Sequence, residues 1–285
     1  FKILRIIFFF LLTVFFVYHG IGLGFRWVIS DHAPWSNGYE AIIFIAWVTM
    51  IFGFVFSRKN AVIIAGTAIL ASLMIFVTEM NLLDPEITPL VPVLKSYWLM
   101  IHVAIITGSY GPLGLAAILG LINLLLYIFR TQKNGKMISI HISELTYVSE
   151  MAMTIGVFML TIGTFLGGVW ANESWGRYWA WDPKETGAMV SVLVYAVILH
   201  FRFIPKLNGK FVFNAVALWG YSAILFTFFG VNFMLVGLHS YAQGEGLGEF
   251  PNWLIVLIIS FLIFTIFSGI RYKAYKKLNK EKIVE

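Results

Sequence analysis

Cysteine is absent from the 285 residues, so the chain forms no disulfide, no iron–sulfur cluster, no thiolate metal site and no thioether link of its own. Any thiol chemistry it takes part in belongs to a partner. Charged residues are scarce, at 12%, and no soluble domain, flexible linker or internal repeat of about 20–50 residues is visible. The one biased stretch is a basic tail between Arg271 and Lys282. No zinc-binding HExxH, P-loop or activated-serine elbow occurs, and Gly244, Gly246 and Gly248 follow no strand. Hydrolase, ATPase and dinucleotide-binding readings therefore lack support.

What is present is apolar: 60% hydrophobic residues, 27 phenylalanines and a mean hydropathy of +0.86. Stretches long enough to cross about 30 Å of hydrocarbon lie near 3–29, 40–57, 61–80, 97–129, 147–169, 186–203, 211–236 and 251–270. The expected fold is an all-α polytopic membrane protein, one bundle of about eight transmembrane helices over 1–285 in a lipid bilayer. The fourth span is too long for one straight crossing, and Gly108, Gly111, Pro112 and Gly114 predict a kink or a short separate outer helix there.

A net charge of +6 could point to an acidic partner, but position decides. With both termini cytoplasmic, only Arg26, Lys95, Arg177 and Lys184 of the 20 Lys and Arg fall on the outer side. That bias is an orientation signal rather than a nucleic-acid patch. The outer loops are then about 30–39, 81–96, 170–185 and 237–250, while His141 lies in a polar cytoplasmic loop. The start at Phe1, without methionine or a cleavage motif, excludes a removable signal peptide and suggests a larger parent polypeptide.

The outer segment 170–185 holds four of the ten tryptophans, Trp170, Trp175, Trp179 and Trp181, with Gly176, Tyr178, Arg177 and Lys184 among them. Several indoles beside two cations make a flat apolar shelf with a charged rim, matched in shape and charge by a porphyrin with two propionates. An interfacial aromatic belt is the competing reading. Asp182-Pro183-Lys184-Glu185 also reads as a helix start, with Asp182 as N-cap and Glu185 reaching back.

Histidines near lipid spans require partners. His32, His102 and His239 fall at or beyond outer helix ends, His19 is embedded in the outer half of the first span, and His200 lies near the inner end of the sixth. Two imidazoles from different helices could hold an iron six-coordinate above the tryptophan shelf, and His102 and His239 flank that shelf in sequence. Each alone also fits a hydrogen-bonded helix-end residue. No other chain feature offers His200 an inner-side imidazole, so it is either packed at its helix end or partnered by another chain. His19 and His32 carry only a hydrogen-bonding expectation.

The run from Trp175 to Glu185, Trp-Gly-Arg-Tyr-Trp-Ala-Trp-Asp-Pro-Lys-Glu, resembles the tryptophan-rich WWD signature of haem-handling proteins, in particular the CcsA type of cytochrome c biogenesis system II. The loop His32-Ala33-Pro34-Trp35-Ser36-Asn37-Gly38-Tyr39-Glu40 is similar to that family's first outer loop, and the hydropathy pattern agrees over essentially the whole chain. The resemblance implies axial haem ligation by His102 and His239, a shelf of Trp170, Trp175, Gly176, Arg177, Tyr178, Trp179, Trp181 and Asp182, and an inner, membrane-embedded haem ligand at His200. It implies ferrous haem b passing outward and joining the Cys-x-x-Cys-His segment of apocytochrome c. Expected partners are a CcsB/ResB-like membrane module, apocytochrome c and thiol-reducing membrane or periplasmic proteins, with no nucleic acid. The expected location is the bacterial inner membrane, or the thylakoid membrane in a plastid. Two other functions stay open: a haem presenter serving a chaperone without synthase activity, and a quinone-reactive electron carrier. No catalytic acid or base is evident, which suits a reaction driven by positioning.

Overall fold

Inside a bilayer every backbone N–H and C=O needs a partner within the chain, and a helix supplies one along its own length. The computed structural model describes residues 2–57, 60–80, 83–87, 96–235, 237, 239 and 252–284, and the regular structure among them is entirely helical. In order these are α1 (Lys2–Ser30), α2 (Gly38–Phe56), α3 (Ala61–Thr78), α4 (Tyr97–Phe129), α5 (Gly135–Trp175), α6 (Pro183–His200), α7 (Lys210–Leu225), α8 (Val231–Met234) and α9 (Asn252–Val284). A π-turn, Phe226–Gly230, carries α7 into α8. Among the described residues eight helices are long and apolar enough to cross a membrane. The chain is an all-α, multi-pass membrane protein, as its hydropathy predicts.

Helix starts follow local chemistry. Asn37 accepts the Glu40 N–H to begin α2, and Asn60 accepts the Val62 N–H to begin α3. Asp182, Pro183 and Glu185 form a complete capping box at α6, as read from the sequence. The turn before α5 is closed by Asn134, whose side chain accepts from Thr131 and donates to the Phe129 carbonyl.

Of the two outcomes expected in the fourth span, the separate outer helix does not form: α4 runs unbroken through Pro112. Its Gly111 serves close packing instead, since a Cβ there would sit 3.0 Å from the Thr49 nitrogen, and neighbouring helices let a membrane helix keep an internal proline. Likewise α5 extends well past the expected 147–169, so His141 stands on a helix rather than in a loop, and Trp170 and Trp175 lie in the last turns of α5. Most of the expected outer loops 81–96 and 237–250, including Lys95, Gly244, Gly246 and Gly248, lie outside the described residues, as do Arg58 and Lys59. The basic tail continues α9 as helix.

The chain forms two compact units, Phe1–Leu115 with Ile155–Trp181, and Ala116–Thr154 with Asp182–Glu285. In the first, Ala46, Met50, Ile64 and Ala71 of α2 and α3 form a core that Phe9, Leu12 and Phe16 of α1 pack against. Phe16 stacks on Trp47 at 5.1 Å, and the Trp47 indole donates to the Phe16 carbonyl. Much of the rest of α1 is exposed apolar surface, the composition a lipid-facing helix requires, while Leu23 is buried and Arg26 is drawn into a pair with Glu40.

The second unit is tied by buried polar groups. Asn123 of α4 donates to the Asn214 side-chain oxygen at 2.7 Å, Asn214 donates to Thr146 of α5 at 2.7 Å, and both asparagines are fully buried. Ser149 reaches the Ala116 carbonyl, and Ser268 of α9 the Leu124 carbonyl. Lipid drives no hydrophobic association between helices, so such bonds and close packing hold them together.

Candidate functional site

In the first unit, α5 ends on Gly176, whose φ of +70° and N–H bond to the Asn172 carbonyl make a left-handed helix stop that glycine adopts without strain. The chain then turns back, bringing the Tyr178 carbonyl over Gly168. Trp181 also takes a left-handed φ, +58°. For a bulky residue this costs on the order of 1–3 kcal/mol. The residue is 70% exposed, and its ring meets Trp179 edge to face at 5.8 Å. Tyr178 is exposed as well, and Arg177 lies over the Trp175 ring at 5.8 Å. Trp170 is fully buried, packed edge to face on Trp175 at 4.7 Å. The rings exposed to the surroundings are those of Tyr178 and Trp181, and Trp170 forms the floor beneath.

His102 of α4 stacks on that floor, its ring 6.3 Å from Trp170 and inclined 14°. Its Nδ1 is 2.7 Å from the Gly163 carbonyl oxygen of α5. A carbonyl only accepts, so Nδ1 carries the proton, and in the neutral ring the lone pair is the one on Nε2. The ring lies directly across Gly167, where any Cβ would run into it. Gly163 and Gly167 were missed in the sequence; their small-xxx-small spacing on α5 was the available signal.

His239, in the second unit, is held the same way by a different group. Its Nδ1 is 2.8 Å from Oδ1 of Asp182, and the two side chains are 15% and 2% exposed. Burial pulls the His239 pKa below the ordinary histidine value, against the opposing pull of Asp182. At neutral pH the imidazole is therefore neutral and donates Nδ1–H to a carboxylate, again placing the lone pair on Nε2. Asp182 also accepts the Lys184 N–H at 2.9 Å, so one carboxylate caps α6 and holds the imidazole. Gly237 backs it closely: a Cβ there would strike Asp182 Oδ2.

The remaining histidines are tied differently. His32 is buried within its own turn, with Nδ1 near the Ala33 carbonyl at 3.2 Å and the Ser36 hydroxyl at 3.1 Å. That turn is anchored by Trp35 donating to the Met100 carbonyl and by a buried Glu40 that pairs with Arg26 at 2.8 Å and accepts the Ser36 N–H. The Arg26–Glu40 pair was not legible in the sequence, because the two residues stand on different helices. His19 shares a hydrogen bond with the Ile43 backbone. His200 is exposed at the end of α6, its Nδ1 donating to the Ala196 carbonyl at 2.6 Å and its ring against Phe203.

Among the described residues no three His, Asp or Glu side chains converge as a site for a bare metal ion. A porphyrin supplies four nitrogens itself, and its iron asks the protein only for axial ligands. Two imidazoles, each with Nδ1 engaged on an acceptor, are a donor set that fits haem iron.

Fold and site together define a class: a multi-pass helical membrane protein that fixes imidazoles and indoles where its helices end. A family profile described as Cytochrome C assembly protein matches residues 35–239. The chain is 34% identical over 242 residues to the cytochrome c biogenesis protein CcsA of Guillardia theta, covering 77% of this chain and 80% of that protein. It is 35% identical over 245 residues to CcsA of Prochlorococcus marinus, covering 76% and 78%. Over 243 residues it is 44% identical to Protein NrfI of Wolinella succinogenes, covering 85% of this chain and 27% of NrfI, so it spans about a quarter of that relative's length. The chain belongs to the cytochrome c assembly family and is a CcsA-type cytochrome c biogenesis protein.

Proposed function

We propose that the chain binds ferrous haem b between His102 and His239 at the outer membrane face and presents it for covalent attachment to Cys-x-x-Cys-His of apocytochrome c. It would act as a haem-attaching lyase together with a CcsB/ResB-like module. The observation that carries this reading is the matched preparation of the two imidazoles, each with Nδ1–H on a fixed acceptor and the lone pair on Nε2. Metal-bound histidines are generally held so.

Bound haem supplies the iron to be ligated and the vinyl groups that take up the acceptor thiols. The chain's own contribution is placement. His102 and His239 would hold the iron, and ligation by both imidazoles would close it to oxygen. Trp175, Trp179, Trp181 and Tyr178 offer apolar faces to the macrocycle, with Trp170 packed behind Trp175. Arg177 and Lys184 supply positive charge suited to the propionates. No side chain is needed as general acid or base, because fixing thiol and vinyl together supplies a large effective concentration. Thiol-reducing proteins would keep the acceptor cysteines competent.

His200 would be a second, inner haem ligand on the route outward. Its exposed position at a helix end suits a site completed by another chain. The bacterial inner membrane, or the thylakoid in plastids, is the membrane concerned, with both termini cytoplasmic.

The test is the visible spectrum of the chain purified together with a CcsB/ResB-like module. A low-spin haem signal lost in the His102→Ala/His239→Ala pair, and unaffected at the outer site by His200→Ala, is expected. Thioether product formed by the purified complex separates synthase from mere presenter. Haem-free wild-type protein would overturn the reading.

A further inference from the structure

One residue of the tryptophan-rich segment has more contacts than its place at a helix start requires. An N-cap needs only a short side-chain oxygen, and Asn or Ser serves as well as Asp. Asp182 nevertheless buries a full carboxylate, 2% exposed. That burial is costly unless the charge is matched by donors. Donors to it include the Lys184 N–H at 2.9 Å and His239 Nδ1–H at 2.8 Å, both on Oδ1, and the capping box adds the backbone N–H of Glu185. Gly237, two residues before His239, leaves the space in which Oδ2 sits. At His102 the Nδ1–H meets the neutral carbonyl of Gly163 at 2.7 Å.

We propose that Asp182 is a positioning residue for haem ligation: it fixes the tautomer of His239 and lends its ring anionic character, making His239 the stronger axial ligand and His102 the one that yields to the acceptor's histidine. This rests on the haem reading above. A carboxylate on Nδ1–H draws the proton outward and raises electron density at Nε2, which stabilises ferric iron more than ferrous and lowers the potential. A carbonyl does this far less. Two imidazoles with unequal backing give a bound state that opens from one known side, which transfer to a third imidazole requires.

The experiment compares wild type, Asp182→Asn and Gly237→Ala, each purified as the full chain together with a CcsB/ResB-like module, by visible spectroscopy and spectroelectrochemistry. Asparagine retains the cap and removes the charge, and an alanine at 237 displaces the carboxylate while keeping it. Both variants are expected to keep a low-spin haem spectrum and to shift the midpoint potential upward. Co-purified haem should fall further in His239→Ala than in His102→Ala, and Asp182→Asn should reduce that difference. An unchanged potential in whichever variant yields folded protein, with wild type and His239→Ala differing in spectrum, overturns the role of Asp182 alone. If His239→Ala leaves the wild-type spectrum intact, the haem reading itself fails.

Discussion

A neutral imidazole can bind iron through either nitrogen, and what the other nitrogen touches decides which. At His102 that contact is a backbone carbonyl which no substitution of Gly163 removes, so the accessible handle is Gly167, whose missing Cβ leaves room for the ring. Gly167→Ala is expected to push the imidazole off its seat, at a cost of roughly 1–3 kcal/mol for overpacking. The measurements are haem retained per purified chain and the detergent melting temperature. Full low-spin haem in Gly167→Ala would show that His102 needs no such seat. His32 gives the opposite expectation. Its ring is satisfied within its own turn, so His32→Ala should lower stability by about 1–2 kcal/mol and leave the haem spectrum of the folded fraction unchanged.

At the scale of elements, the segment between α5 and α6 combines strain with exposure. Trp181 is held left-handed and is 70% exposed, an arrangement that packing alone would not select. Trp181→Gly should relieve the backbone and leave the melting temperature equal or higher, while haem binding weakens several-fold. Haem titration of the stripped protein beside thermal unfolding separates the two, and stronger binding would contradict a role for that ring. The helix ties of α4, α5 and α7 respond differently. Asn214→Ala removes the bonds to Asn123 and Thr146 and should cost about 1 kcal/mol, within the range for interhelical bonds in membranes. Its haem spectrum should stay that of wild type.

For the whole molecule, the absence of cysteine is an experimental asset as well as a chemical limit. Single cysteines at exposed Lys133 and exposed Tyr178 can be introduced without altering native thiols and probed with a membrane-impermeant maleimide in intact cells. In the orientation proposed from the distribution of Lys and Arg, position 133 lies inside and 178 outside. Labelling of 178 alone is expected, and labelling of 133 alone would invert the orientation and move the tryptophan-rich segment to the cytoplasmic face.

Much of this molecule follows from sequence alone, because lipid imposes one rule on the backbone. Apolar runs must be helices, so eight spans and the capping box at Asp182 are legible without coordinates. The aromatic run and the histidines are legible as residue types. Their arrangement is not. Whether Pro112 breaks α4 depends on helices packed around it, and the buried floor made by Trp170 depends on α5 continuing past its apolar span. The partners of His102 and His239 lie 61 and 57 residues away in the chain, on Gly163 and Asp182. A hydrogen bond depends on ångström distances between such remote groups, so only the tertiary structure sets which imidazole nitrogen carries the proton, and with it which nitrogen can meet a metal.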